Sequence, residues 1–249
     1  MLGVSHAATG LLAGVAVGAL LGAHPVDVVS CAAVGAGAAL LPDLDEPGST
    51  VGRSLGFASR GVSRALRAAS RRVYRATATP YDLRGRSDGG HRHLTHTIPA
   101  VLVFGAVAGV LAVLHVLAGW AVVVLLSALG FSPIAKAFRG KHERRFAFSL
   151  VWFGATSLGV AVVVLGFAPW LLGVTVGVGA LVHVLGDWLT RSGVPLAWPL
   201  TYRGKRWWMF RSPVAFHTGK SRVEDGIRVG SLIVAPIMMV MGAPPLPPV

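Results

Sequence analysis

Charge is scarce in this chain, and sulfur chemistry is nearly absent. Only 13% of its 249 residues are Asp, Glu, Lys or Arg, about half of the roughly 25% usual in a soluble domain. With 53% hydrophobic residues and a mean hydropathy of +0.65, a fold dissolved wholly in water is excluded. Cys31 is the single cysteine, so no intrachain disulfide can form. Set among Ala, Val and Gly, it reads as a small buried hydrophobe. No Lys or Arg precedes Arg53, so the positive segment of a secretory signal is missing. No Gly-x-x-x-x-Gly-Lys loop is present, which leaves ATP-driven transport without its phosphate cradle. No stretch alternates apolar and polar residues long enough for a barrel strand. A serine triad is also set aside.

What the chain does have is apolar runs, at 7–23, 28–41, 98–117, 120–135, 146–168, 170–187 and 229–241. A helix needs about 20 residues to span a bilayer, so 28–41 and 229–241 are short and could be tilted or re-entrant. The expected fold is an all-α, polytopic helical bundle of about seven apolar helices. Residues 1–249 are read as one membrane-embedded domain, with 53–92 a basic insertion. Small residues at four-residue spacing, Gly10/Gly14/Gly18 and Gly35/Ala39, suit close helix packing.

The net charge of +13 is distributed unevenly. All 23 Lys and Arg fall within 53–92, 136–145 and 191–228. If all seven runs span, these three stretches share one face and the bare turns near 24–27, 118–119 and 169 share the other. The positive-inside rule then places the basic face and the N-terminus in the cytoplasm of a bacterial inner membrane, with the 243–249 tail outside. Within 53–75, Ala58, Val62, Leu66, Ala69 and Val73 recur at helical steps. Arg60, Arg64, Arg67, Arg71 and Arg75 follow two residues behind, about 200° around a helix. The reading is a basic amphipathic helix lying among anionic lipid headgroups, each Arg contributing about 1 kcal/mol. Nucleic acid is disfavoured as a partner, because aromatics that could stack on a base are nearly absent there, Phe57 and Tyr74 alone. The Tyr202–Arg211 cluster, with Trp207 and Trp208, reads as an interfacial anchor.

Three polar strings interrupt the apolar runs: Leu41-Pro42-Asp43-Leu44-Asp45, His91-Arg92-His93-Leu94-Thr95-His96-Thr97 and His183-x-x-x-Asp187-x-x-Thr190. Four residues apart on a helix, His183 and Asp187 share a face and can reach one ion. Asp43 and Asp45 would repel each other without a cation between them. Each string alone also fits a blander role: a helix-packing pair, a turn with a cap, a polar linker. Topology sharpens the reading, since His6, Asp43, Asp45, His91, His96, His183 and Asp187 all fall at ends of spans on the basic face. His24, His115 and His142 do not join them.

These residues resemble the YdjM-type, LexA-regulated bacterial inner-membrane metal-dependent hydrolases. The likeness runs from His6 to about Asp225 and includes Ser49, Pro199 and a closing Thr218-Gly219-x-Ser221-x-x-Glu224. His93 stands where the family has a small residue, and could add a ligand or a proton carrier. The family is distantly similar to zinc-dependent phospholipase C and P1-type nucleases, all-helical enzymes built around clustered zinc. The resemblance implies a hydrolase acting on a phosphoester or related ester in a membrane-associated substrate. Asp43, His91, His96, His183 and Asp187 are the foremost metal ligands, with His6 as a further one. Asp45 and Glu224 are candidates for a bridging carboxylate or general base, and Arg92 for orienting an anionic substrate. Mixed imidazole and carboxylate ligation suits Zn²⁺, with Mn²⁺ and Fe²⁺ as alternatives. The competing expectation is a non-enzymatic membrane protein whose metal site is structural or regulatory and which docks a cytoplasmic partner.

Overall fold

A computed structural model describes all residues except 50, 55, 86, 138, 139 and 243–249, with only the backbone at 134–137 and 141. The expected 243–249 tail therefore lies outside the described residues. Regular structure among the described residues is helical, apart from isolated bridges in the 190–216 segment and at Tyr202–Lys205. Seven long helices form the bundle: α1 (Gly3–Leu21), α2 (Pro25–Ala38), α5 (Ile98–Leu114), α6 (Val116–Ala137), α7 (Lys141–Leu165), α8 (Pro169–Trp188) and α9 (Arg222–Gly242). Between the first two and the rest come α3 (Phe57–Thr77) and the single turn α4 (Pro80–Leu83). Six helical stretches are long and apolar enough to cross a membrane, and α5 is a shorter apolar helix.

Local chemistry sets the ends. Pro25, Pro99 and Pro169 stand in the first turns of α2, α5 and α8, where a missing N–H costs nothing. Asp27 closes the α1–α2 turn by accepting the N–H groups of Ala23 and His24. Thr97 caps α5 by accepting the Ala100 N–H at 3.3 Å. Two helices outrun their apolar cores, α7 and α9 beginning at Lys141 and Arg222 inside polar sequence, and the turn expected near 118–119 lies within α6, the break falling at His115 instead.

The bundle is centred on α2. The stretch Pro25–Asp45 is 78% buried, against 17% for the α7 window and 11% for α9. The small-residue spacing is the cause. A Cβ on Gly14 would stand 2.0 Å from the Cys31 carbonyl oxygen, and one on Gly37 would stand 1.9 Å from that of Leu126. Only glycine lets α1 and α6 approach α2 so closely. Helix α8 packs on α1 and α2, α5 packs on α8, and α7 lies outside on α6.

The expected two faces of α3 are in fact three. A stripe of Ser59, Ser63, Ser70 and Tyr74 lies between the apolar and arginine faces, and this stripe is the one buried. Ser70 donates to the Gly89 carbonyl and accepts the Leu94 N–H. Arg67 and Arg71 pair with Glu46 and Asp88 at 2.7 and 2.5 Å. On the apolar face Ala58, Val62 and Ala69 stay exposed, and Leu66 and Val73 are half-buried.

The interfacial-anchor reading of Trp207 is corrected. Trp207 is buried, packed on Tyr74, His93 and Trp198, and its Nε1–H donates to Thr77 Oγ1. Asp82 holds this region together, its carboxylate accepting the N–H groups of Thr79, Arg206 and Trp207. Trp208 keeps partial exposure, with Arg203 and Lys205 over its face.

Candidate metal centre

The polar strings meet at the end of the bundle where α1 and α5 begin and α2 and α8 finish. After α2 the chain tightens into a 3₁₀ turn, Pro42–Asp45. In such a turn residues i and i+3 eclipse. Leu41 and Leu44 therefore share one side and pack on the core, while Asp43 and Asp45 project elsewhere. The second string makes its own 3₁₀ turn, Leu94–His96, just before α5. Arg92 precedes it with φ 57, a left-handed conformation costing an Arg about 1–3 kcal/mol. Two bonds hold it there: one guanidinium nitrogen is 3.1 Å from Asp187 Oδ1, and another donates to Thr190 Oγ1 at 3.0 Å. His183 and Asp187 come from the last turn of α8.

Asp43, His96, His183 and Asp187 form one cluster, each offering a ligand atom within 4.8 Å of the others. The two imidazole Nε2 atoms are 3.2 Å apart. Asp43 Oδ1 lies 3.8 Å from His96 Nε2 and 3.6 Å from His183 Nε2. Asp187 Oδ2 lies 3.5 and 3.7 Å from the same two nitrogens. Tetrahedral ligands at bond lengths of about 2.0–2.2 Å are separated by roughly 3.3–3.6 Å, so the cluster is close to the size that one ion requires.

The protonation pattern leads to the same ion. His183 Nδ1–H donates to the Ala39 carbonyl at 2.7 Å. Thr95 donates its hydroxyl to Asp45 Oδ2, so its oxygen accepts from His96 Nδ1–H at 3.0 Å. With both rings neutral, the two Nε2 atoms carry lone pairs that face each other. Such a pair repels unless a cation lies between, and fixing the outer nitrogen by a carbonyl or carboxylate-linked group is the usual support of a metal-binding His. Burial alone would lower the pKa of His96, but Asp187 and Asp43 outweigh it and push it up to about 9, so without an ion His96 takes a proton at Nε2 in the place a cation would fill. The pocket draws positive charge. Asp187 Oδ2 and both ring nitrogens of His6 are buried without a hydrogen-bond partner among the described residues, as expected of groups built for something the protein chain does not supply. The cluster could hold a divalent metal ion.

The other sequence-derived candidates stand around this group. His6 is buried and stacks on His183 with ring centroids 3.7 Å apart, its Nε2 3.3 Å from Asp187 Oδ1. The amino group of Met1 also contacts Asp187 Oδ1. Asp45 is buried and bridges His91 Nδ1, at 2.7 Å, to Thr95. His91 thus touches the cluster through Asp45, and its ring stands edge-on to His96. His93 faces away: its Nδ1–H donates to the His91 carbonyl, Nε2 meets Ser87, and burial lowers its pKa. Glu224 is buried too, but accepts the N–H groups of Leu2 and Gly219, fixing the start of α1 rather than entering the cluster.

Two supports were not assigned from sequence. Thr95 lies in the second string with nothing in its type to mark a role, although a hydroxyl can donate to one neighbour while accepting from another. Ala39 acts through its carbonyl, which no residue type announces. Its place at the end of α2 is the one signal, since the last carbonyls of a helix lack partners. A serine nucleophile stays set aside. Gly52-Arg53-Ser54-Leu55-Gly56 does have the Gly-x-Ser-x-Gly spacing, but no strand leads into it and Ser54 Oγ donates to the Val51 carbonyl at 2.8 Å.

Of the four clustered residues, Asp43 alone reaches the surface, its side chain 20% exposed against 0–1% for the others. Beside it His91 and Arg92 are 30% and 16% exposed. No curated protein and no solved structure matches the chain. The model of the YdjM inner membrane protein family matches residues 1–243, and the chain belongs to that family.

Proposed function

We propose that this protein is a membrane-bound metal-dependent hydrolase, acting on a phosphoester or related ester at the cytoplasmic face of the inner membrane. The observation that supports this most is the opening of the cluster at Asp43, flanked by His91 and Arg92. A divalent ion such as Zn²⁺ supplies acidity to water and polarises an ester oxygen. The chain's own residues do the rest. His183 and His96, with outer nitrogens fixed by Ala39 and Thr95, present Nε2 in a set direction. His91, with Nδ1 on Asp45, is available to take or return a proton at Nε2. Arg92 steadies Asp187 and is the nearest side-chain cation for an anionic substrate.

One observation favours a second reading. Four protein donors, three of them closed to solvent, are what a structural zinc site has, whereas a catalytic one keeps a position for water. In that case the ion clamps α2, α5 and α8, and the exposed arginines of α3 dock a partner.

Purified protein assayed for metal, then offered phospholipids and simple phosphoesters in nanodiscs, separates the two. Hydrolysis that chelation abolishes, and that His183→Ala/Asp187→Ala lacks, supports the enzyme. Metal-loaded protein that turns over nothing leaves the structural reading. For orientation, a cysteine at Gly119 should label from outside intact cells and one at Arg64 should not; labelling at Arg64 overturns the cytoplasmic placement.

A further inference from the structure

A second feature lies on the other side of the Pro42–Asp45 turn. Between α3, α6 and α7 runs an open groove of about 910 Å³, within the range of small-molecule sites. Its walls are apolar, among them Leu44, Val62, Leu125, Leu129, Phe148 and Trp152. Arg53, Arg144 and Arg145 also line it, and no Asp or Glu does. All three arginines are exposed. None has an ion-pair partner among the described residues, and Arg53 spends only a 3.4 Å bond on the Ser49 carbonyl. A second groove of comparable size, about 810 Å³ between α1, α2, α6, α7 and α9, differs in kind: the charged residue on its wall is Glu143.

We propose that the first groove is a binding site for an acidic membrane phospholipid, with an acyl chain along the α6–α7 wall and the phosphate met by Arg53, Arg144 and Arg145. The occupant follows from charge complementarity. An apolar trough at the surface of a membrane bundle fills with some lipid chain in any case. Three unpaired cations without an anion, at the end of the bundle where helices α2, α6 and α7 meet polar chain, select which one. Guanidinium groups suit a phosphodiester, which they can meet with paired N–H donors. A neutral headgroup would leave the three charges uncompensated. Leu41 and Leu44 line the groove from the turn that holds Asp43, so groove and cluster share that turn. Binding needs neither metal nor turnover, so this site goes beyond the hydrolase reading and does not rest on it.

Trp152 in the groove wall provides the probe. Full-length protein and a Trp152→Phe control are placed in phosphatidylcholine nanodiscs, and the fluorescence difference is titrated with phosphatidylglycerol or phosphatidylcholine carrying brominated acyl chains. At about fivefold per arginine, brominated phosphatidylglycerol should quench Trp152 at a mole fraction on the order of a hundredfold lower than brominated phosphatidylcholine. Arg53→Gln/Arg144→Gln/Arg145→Gln should bring the two curves together, and so should high salt on the wild type, which needs no folded variant. Chelated protein should behave as the untreated protein does. Equal quenching by both lipids in the wild type would mean only unselective boundary lipid, and a preference that survives both the triple variant and high salt would mean that the arginines do not read the phosphate. Either result overturns the proposal. A preference that vanishes on chelation overturns its independence from the metal cluster.

Discussion

The metal cluster and the lipid groove share one turn and are built on opposite terms. The cluster is polar and closed except at Asp43, and three of its four donors are braced: His183 by Ala39, His96 by Thr95, Asp187 by Arg92. It sits where α1, α2, α5 and α8 are drawn together by backbone approaches that only glycine permits. The groove is apolar and open, with its cations unbraced, and it lies on the loosely covered α6–α7 side. Rigidity goes to the side that must hold atoms within tenths of an ångström, and looseness to the side that must admit a flexible chain. Leu41-Pro42-Asp43-Leu44-Asp45 serves both, because a 3₁₀ turn sends its leucines one way and its aspartates others.

The largest expected effects test whether the two sides are separable. His183→Ala/Asp187→Ala should remove bound metal altogether, as elemental analysis would show, and lower any hydrolysis by orders of magnitude. Lipid selection in the groove should survive. If selection disappears with the metal, the two sites are one unit and the contrast fails. Gly37→Ala comes next. Its Cβ would stand 1.9 Å from the Leu126 carbonyl oxygen, and backbone cannot step aside as a side chain can. A loss of about 3 kcal/mol or more is expected in a denaturation series in detergent, with metal released in the same transition.

A smaller effect tests the bracing. Asp45→Asn keeps the shape of the side chain but weakens the chain of bonds through Thr95 to His96 and frees His91. Metal affinity should fall about 10–100-fold, read by competition with a chelator, while groove binding is unmoved. An unchanged affinity would show that Thr95 alone orients His96.

Much of this contrast could be read from residue order, and some could not. The seven helices follow from the apolar runs, and the gathering of His and Asp at one end follows from their places beside those runs. Close packing at Gly10, Gly14 and Gly18 was visible as spacing. Which donors cluster was not. His91 has the same residue type and nearly the same position as His96, and only the turn Leu94–His96 decides between them. The helix starts at Lys141 and Arg222 were missed because hydropathy reports where lipid begins, not where backbone hydrogen bonding does. The serine stripe of α3 was legible in principle, since Ser59, Ser63, Ser70 and Tyr74 recur at helical steps, but two stronger patterns on either side masked it. The burial of Trp207 depends on Thr77, Asp82 and His93, all far away in sequence.

The smallest expected effect has the opposite sign and probes the loose side directly. Gly154 lies in the middle of α7, where an added Cβ would meet nothing within 4 Å. Glycine inside a helix costs about 0.5–1 kcal/mol relative to alanine, because the unfolded chain has more freedom to lose. At Gly37 a clash overrides that gain, and at Gly154 nothing opposes it. Gly154→Ala should therefore stabilise the protein by up to about 1 kcal/mol, in the same denaturation series in which Gly37→Ala destabilises it. Metal content and lipid selection should both be unchanged, because Gly154 lines neither the cluster nor the arginine groove. Destabilisation by Gly154→Ala would mean that α7 is packed against something closer than this structure shows, such as a second copy of the chain. The side described as open would then be an interface.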